Sequence, residues 1–134
     1  MDVGLFIVAG QSIAESLADL LRVDAARPLI TQIWPDGQRA ELSARTFENN
    51  VAKAANLLQD DLDAGPDTTI ALELPAHWQT SVWLTAAALT GSRVYPMLGN
   101  STPAENSFAA AFVDRDHAPS VDVDPRYIVS LHPL

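Results

Sequence analysis

The sequence has no cysteine, few basic residues and no long apolar run. Without cysteine, a disulfide scaffold, a thiolate metal site and a cysteine nucleophile are all excluded. Eight basic residues stand against 17 acidic ones, for a formal net charge of −9. A surface of that sign repels phosphate backbones and anionic lipid headgroups, so we expect neither nucleic acid nor a membrane as a partner. The apolar runs also fall far short of the ~20 residues needed to span a bilayer.

The amino-terminal residues give no periodic signal of secondary structure. The apolar run 5–9 follows the acidic segment 1–4 rather than a basic one, and no small-residue cleavage pattern stands out, so we expect a cytoplasmic protein. Residues 1–11 are predicted to form an arm, or else an apolar strand added to a neighbour's sheet edge. A length of 134 residues suits one domain, which we predict to cover residues 12–134.

A helix, a hairpin and a second helix are predicted next. Ser12 and Glu15 have the spacing of a capping box before a helix whose apolar face carries Ile13, Leu17, Leu20 and Leu21. Residues 29–34 and 40–42 read as two strands joined by a turn at 35–38. Ser43 is a plausible cap for the next helix, predicted to end at 63–66 with Gly65 in the left-handed conformation. The apolar stripe of that helix consists of Phe47, Val51, Ala54, Ala55, Leu58 and Leu62.

The central part of the chain predicts a βαβ unit. Residues 70–74 form a short apolar run, Pro75 stops it, and apolar residues at helical spacing follow up to Gly91. Residues 93–97 look like the next strand, parallel to the first. Later runs at 108–113 and 126–132 read as further strands. The predicted fold is therefore α/β, with an N-terminal helix and β-hairpin followed by a small, mainly parallel sheet with flanking helices.

The candidate ligand-binding residues are His77, Trp78 and His132. Loops at the carboxyl ends of parallel strands are where α/β proteins bind small molecules, and residues 75–79 form such a loop. If strands 70–74 and 127–132 are parallel neighbours, His77 and His132 share one sheet edge and could bind a ligand carboxylate or a metal. No His-x-x-x-His or Glu-x-x-His spacing supports a metal, and histidines that cap backbone groups are the alternative.

The aromatic residues of this region also have two interpretations. Trp78 and Trp83 could floor a pocket for an acyl chain or a flat ring. Alternatively, Trp83 belongs to the core and Trp78 is half-exposed packing.

Phosphate-binding and nucleophile-elbow motifs are missing from the sequence. Residues 98–102 could hold an anion on their backbone amides, with a plain turn as the other interpretation.

The segments together resemble a known family. They include Ile-Ala-Leu-Glu-Leu-Pro at 70–75, Leu-Pro-Ala-His-Trp-Gln-Thr at 74–80, Thr-Gly-Ser-Arg-Val at 90–94 and Ser-Leu-His-Pro-Leu at 130–134. This order is similar to the opening segment of adenylate-forming enzymes, which comprise acyl-CoA synthetases, luciferases and non-ribosomal peptide adenylation domains. It looks most like a short actinobacterial group of uncharacterised AMP-binding-like proteins. The resemblance covers residues 12–97 well and the remainder loosely.

The resemblance implies a fold more than an activity. ATP, AMP and CoA are ligands that the resemblance alone implies. The family's phosphate loop ending in Pro-Lys-Gly does not occur in these 134 residues, nor do its ribose-binding acidic motif and its C-terminal lysine. No catalytic residue of the family transfers to a position here, so we expect no adenylation by this polypeptide alone, and no cofactor. We expect a domain that binds a small acyl or aromatic ligand, or an interaction module that forms a homodimer or completes a partner's fold.

Overall fold

The computed structural model describes residues 12–96, 108–115 and 123–131, so the predicted arm 1–11 lies outside the described residues. The described elements are α1 (Ile13–Asp24), β1 (Pro28–Ile33), β2 (Arg39–Ser43), α2 (Ala44–Leu62), β3 (Thr69–Glu73), α3 (Trp78–Leu89), β4 (Arg93–Pro96), β5 (Ala110–Asp114) and β6 (Arg126–Val129). They fall into two compact units, the first ending at Asn50 and the second beginning at Val51. One domain over 12–134 stays a prediction.

The first unit contains α1 and the hairpin. The amide of Glu15 donates to the Ser12 hydroxyl over 3.0 Å, which is the capping bond expected at the start of α1. Leu17 is the buried residue of this helix, whereas the side chain of Ile13 is 49% exposed. Strands β1 and β2 pair antiparallel, and the turn between them closes when Gly37 donates its amide to the Trp34 carbonyl over 2.9 Å.

Helix α2 begins as predicted, but its end differs from the prediction. The amide of Thr46 donates to the Ser43 hydroxyl over 3.2 Å, so Ser43 acts as the cap. At the other end Asp63 takes the left-handed conformation with φ of 49°, and Gly65 does not have a positive φ. The prediction that Gly65 takes this conformation was wrong, because the chain reverses directly after Leu62. Aspartate tolerates this backbone since its short side chain can bond locally.

The second unit is built on a four-stranded sheet in the order β4-β3-β5-β6. Each neighbouring pair is parallel, with Ile70 opposite both Val94 and Ala110. The β3–α3–β4 segment is the βαβ unit expected from the sequence. Ile70 and Ala71 of β3 have no exposed surface, so both faces of the central strand are covered, as is usual for parallel sheets. The predicted α/β class, with a parallel sheet and flanking helices, is confirmed.

Within the described parts of the chain, no helix has the length and apolar character required to cross a membrane.

Candidate functional site

The candidate site lies at the carboxyl end of β3, where the chain passes into α3. Glu73, the last residue of the strand, is only 5% exposed, and the exposed Pro75 and Ala76 follow. His77 then takes an extended conformation and caps α3. The hydroxyl of Thr80 in the first turn of α3 donates to the Pro75 carbonyl over 2.6 Å. The loop is therefore held to the helix that follows it.

His77 has a structural role that its position in the sequence leaves open. Its Nδ1 accepts a hydrogen bond from the Gln79 amide over 3.1 Å, which satisfies one of the unpaired amides at the start of the helix. A ring nitrogen that accepts carries no proton, so this bond requires the tautomer protonated on Nε2. The residue as a whole is half-buried, its Nε2 is buried, and its ring centroid lies 5.7 Å from that of Trp78. The geometry corresponds to the backbone-capping alternative.

The two tryptophans exchange the positions expected of them. Trp78 is 8% exposed and belongs to the core, whereas Trp83 is partly exposed. The expectation of a half-exposed Trp78 and a core Trp83 was wrong. Trp78 shares a buried side of α3 with Val82 and Ala86, whereas the ring of Trp83 packs on Phe112 and part of the residue stays exposed.

The premise that would bring His77 and His132 together was also wrong. Strand β5 lies between β3 and β6, so the strands that precede the two histidines are not neighbours. With ~4.8 Å between adjacent strands, the ends of β3 and β6 are about 10 Å apart. His132 itself lies outside the described residues, as does the loop 98–102. In the described part of the chain, no three His, Asp or Glu side chains are grouped to hold a metal ion.

An aromatic stack crosses the second unit and was not predicted from the sequence. The ring of Phe112 lies 4.6 Å from that of Trp83 and 4.9 Å from that of Tyr127, centroid to centroid. The Tyr127 hydroxyl donates to the Asp61 carboxylate over 3.2 Å. Burial raises the pKa of Tyr127 above its usual 10.0, and the hydrogen bond and negative charge of Asp61 raise it further. The register of β5 against β6 places Phe112 beside Tyr127, and the packing of α3 on the sheet adds Trp83, so neither contact follows from local sequence.

The first unit has a cavity of about 380 Å³ along α1. It is lined by Ser16, Asp19, Leu20, Val23, Asp24 and Arg27. The lining is mostly apolar, with the charged groups at the ends of their side chains. The amphipathic pattern of α1 predicts a buried apolar face here and gives no sign of a cavity.

Part of this chain is similar in sequence to a known protein. A TIGR03089 family protein of Mycobacterium tuberculosis is 46% identical, with the match covering 54% of this chain and 33% of that protein. The chain thus spans about a third of the length of this curated relative. No family model matches the sequence.

Solved structures identify the fold. The N-terminal subdomain of NpsA from Klebsiella oxytoca matches with a TM-score of 0.62 and 13% identity, over 90% of this chain and 31% of that one. This chain has an adenylation-type N-terminal fold. A fused adenylation–PCP di-domain containing NpsA gives a TM-score of 0.66 at 14% identity, over 90% of this chain and 24% of that one. The structure of CmiS6 gives a TM-score of 0.67 at 20% identity, over 85% of this chain and 28% of the CmiS6 chain. The resemblance expected from the sequence is thereby confirmed at the level of the adenylation-type fold, and likenesses at these identities carry the fold alone.

Proposed function

We propose that this polypeptide is a non-catalytic domain of the adenylation-type fold that binds a small acyl or aromatic ligand at the carboxyl end of β3. The observation that carries the proposal is the fixed β3–α3 loop. Pro75 and Ala76 are exposed there, while the bond from Gln79 to His77 and the bond from Thr80 to Pro75 hold the backbone. The loop at the carboxyl end of a central parallel strand is a common place for a small molecule.

Burial determines which residues of the loop a ligand can contact. Pro75 and Ala76 are available to a ligand, whereas Nε2 of His77 is buried and its Nδ1 accepts from the Gln79 amide. Trp78 is buried against the His77 ring and supports it. An apolar chain or flat ring suits this surface because its exposed groups are a prolyl ring and a methyl group.

The non-catalytic part of the proposal rests on the sequence. Phosphoryl chemistry on ATP needs donors that hold the phosphates, and the family's glycine-rich loop with Pro-Lys-Gly does not occur in these 134 residues. ATP, AMP and CoA therefore remain ligands implied by the resemblance.

Isothermal titration tests the ligand site with ATP, AMP, an acyl-CoA and the free acyl or aromatic acid. We expect the acyl or aromatic ligands to bind and the change Ala76→Glu to weaken that binding. Ala88→Glu is the matched control, because Ala88 is an exposed alanine at the other end of α3 from the loop. Absence of binding by every ligand, or equal effects of the two changes, would overturn the proposed site. Tight ATP binding with turnover would overturn the non-catalytic assignment.

An interaction module is the second candidate function. Strand β6 ends the order of the described sheet, and its Ile128 is 60% exposed beside the buried Val113. An apolar side chain on an edge strand favours pairing with another chain. Light scattering at two concentrations tests this candidate. Self-association that Ile128→Lys abolishes, and that Ile33→Lys on the hairpin leaves intact, would support it. A strict monomer at both concentrations would argue against self-association.

A further inference from the structure

The register of the parallel sheet determines which residues are neighbours at its carboxyl edge. Strands β3 and β5 pair in parallel as far as Glu73 and Val113. Pro75 and Arg115 each follow this last pair by two residues. Because neighbouring strands are ~4.8 Å apart, Arg115 leaves the sheet beside the apolar loop of the proposed site.

The next strand continues this row of neighbours. Asp114 of β5 is paired with Val129 of β6, and Arg115 and Ser130 are the residues that follow them directly. Both of these residues are exposed. Within the described parts of the chain, neither side chain makes a hydrogen bond or an ion pair. A guanidinium and a hydroxyl are therefore adjacent hydrogen-bond donors at one edge of the sheet.

Arg115 supplies positive charge to an edge of an acidic protein. The formal net charge of the chain is −9, so most of the surface repels an anion. Among the basic residues described in the second unit, Arg93 and Arg126 open β4 and β6 at the amino edge of the sheet, and Lys53 lies on α2. Arg115 is the one that follows the carboxyl end of a strand.

Two carboxylates of known placement precede this row on their strands. Glu73 is only 5% exposed, and Asp114 is partly buried beside Val129. Neither of them forms an ion pair with Arg115 in the described structure. The guanidinium therefore stays available to an anionic group from outside the chain.

We propose that Arg115 and Ser130 form an anion site, which binds the oxyanion group of a ligand whose apolar part contacts Pro75 and Ala76. This inference rests on the proposed function and names the class of ligand, a ring or short chain that carries a carboxylate or a phosphate. Arginine binds both groups through its planar fork of donors, and serine adds one hydroxyl donor. One strand spacing, ~4.8 Å, separates the loop from Arg115, so a single small molecule can contact both.

Calorimetric titration of the 134-residue chain with benzoate, phenyl phosphate and benzamide tests the anion site. Benzamide has the same ring without the charge, so its binding reports on the apolar loop alone. We expect the wild type to bind at least one of the anions about threefold to tenfold more tightly than benzamide, as befits an exposed charged pair with hydrogen bonds. A preference for benzoate would identify a carboxylate ligand, and a preference for phenyl phosphate would identify a phosphate ester.

Variants of the two arginines separate the anion site from general electrostatics. Arg115→Gln should abolish the preference for the anion and leave benzamide binding unchanged, which also shows that the variant is folded. Arg115→Lys should retain part of the preference because it keeps the charge. Arg126→Gln is the matched control, because Arg126 is an exposed arginine at the opposite end of β6 from Ser130.

The outcomes distinguish this inference from the proposed function. Equal affinity of the wild type for all three probes, or equal losses in Arg115→Gln and Arg126→Gln, would overturn the anion site and leave the loop site standing. Absence of binding by all three probes would overturn both.

NMR spectroscopy of the arginine side chains gives an independent answer. The Nε–H signal of Arg115 is the one missing from the spectrum of Arg115→Gln. The preferred anion should shift this signal, whereas benzamide should not. An unchanged signal, or an equal shift of the Arg126 signal, would contradict the anion site.

Discussion

Gly91 and Asp63 hold backbone conformations that most residues avoid. Gly91 has a φ of 76° at the end of α3, where Ser92 donates its amide back to the Ala87 carbonyl over 3.0 Å. Asp63 has a φ of 49° at the end of α2, where Ala64 donates to the Leu58 carbonyl over 3.2 Å. The bond after Gly91 is that of a Schellman motif, whereas at the end of α2 the Asp63 amide donates to the Gln59 carbonyl over 3.0 Å, which is the bond of the simpler αL motif. These two positions determine where the helices of the second unit stop.

We expect Gly91→Ala to lower the free energy of unfolding by about 1–2 kcal/mol, because a Cβ is strained in the left-handed region. A Cβ at Gly91 would meet Pro66 at 3.6 Å, an ordinary contact, so the cost comes from the backbone and not from a clash. Gly65→Ala is the matched control, with open space around it and no positive φ. Urea denaturation measures both variants. Equal effects would show that the conformation at Gly91 is not the constraint.

Tyr127 provides a prediction that depends on pH. Because its pKa is raised in the folded protein, it adds stability that is fully present below pH 10 and lost as the pH rises through the folded-state value. Above about pH 10, the unfolding free energy of the wild type should therefore fall more steeply than that of Tyr127→Phe. Urea denaturation across this pH range measures the difference.

The contribution of Asp61 to that pKa can be measured separately. Absorbance titration of a Tyr95→Phe background follows Tyr127 alone, since the chain has two tyrosines. Asp61→Asn should lower the pKa of Tyr127 only part of the way to its usual value, because burial, the larger cause, remains. Asp60→Asn removes a neighbouring carboxylate that makes no bond to Tyr127 in the structure. A pKa equally affected by both changes would contradict the specific role of Asp61.

The start of α3 links the candidate site to the stability of a whole helix. We expect His77→Ala to cost about 1 kcal/mol of unfolding free energy, since alanine offers no acceptor to the Gln79 amide. His77→Asn should stay close to the wild type because asparagine is a good cap. Thermal or urea denaturation of the two variants checks this difference. If both variants lose the same stability, the Nδ1 bond is not what holds the helix start.

The same pair separates capping from ligand contact. An asparagine variant of wild-type stability that no longer binds the acyl or aromatic ligand would place the His77 ring in contact with that ligand. A variant that keeps both properties would leave Pro75 and Ala76 as the contact surface.

Local signals explain which elements could be predicted. The caps at Ser12 and Ser43, the turn at Gly37 and the βαβ segment each depend on residues close together in sequence, and the structure has all of them. The neighbour of β3 could not be predicted in this way, because strand order is decided by tertiary packing. Insertion of β5 beside β3 is what separates the strands that precede His77 and His132.

Local sequence signals were also insufficient to predict the burial of single side chains at the candidate site. The loop 75–79 could be placed at the carboxyl end of a strand from Pro75 and the apolar runs around it. The burial of Trp78 and the partial exposure of Trp83 could not be predicted from the sequence. Both residues fit an apolar helix whose pattern has almost no amphipathic bias. A helix covered on most sides gives no periodic signal of which aromatic faces the core.

The molecule as a whole has the fold of one part of larger proteins. The match to the NpsA N-terminal subdomain covers 90% of this chain and 31% of the NpsA chain. The match to the mycobacterial relative covers 33% of that protein. The parallel sheet with both faces of β3 buried belongs to the shared fold. The substrates and partners of those longer proteins are not carried over by this likeness, so the proposed ligand site rests on the loop geometry of this chain.

The most direct test of the non-catalytic proposal is an adenylation assay on the purified 134-residue chain. ATP, Mg²⁺ and a panel of acyl and aromatic acids are incubated with the protein, and release of AMP and pyrophosphate is measured alongside calorimetric titration of the same acids. We predict binding of an acid without any release of AMP or pyrophosphate above the protein-free rate. Repeated turnover of ATP that depends on the acid would contradict the proposal.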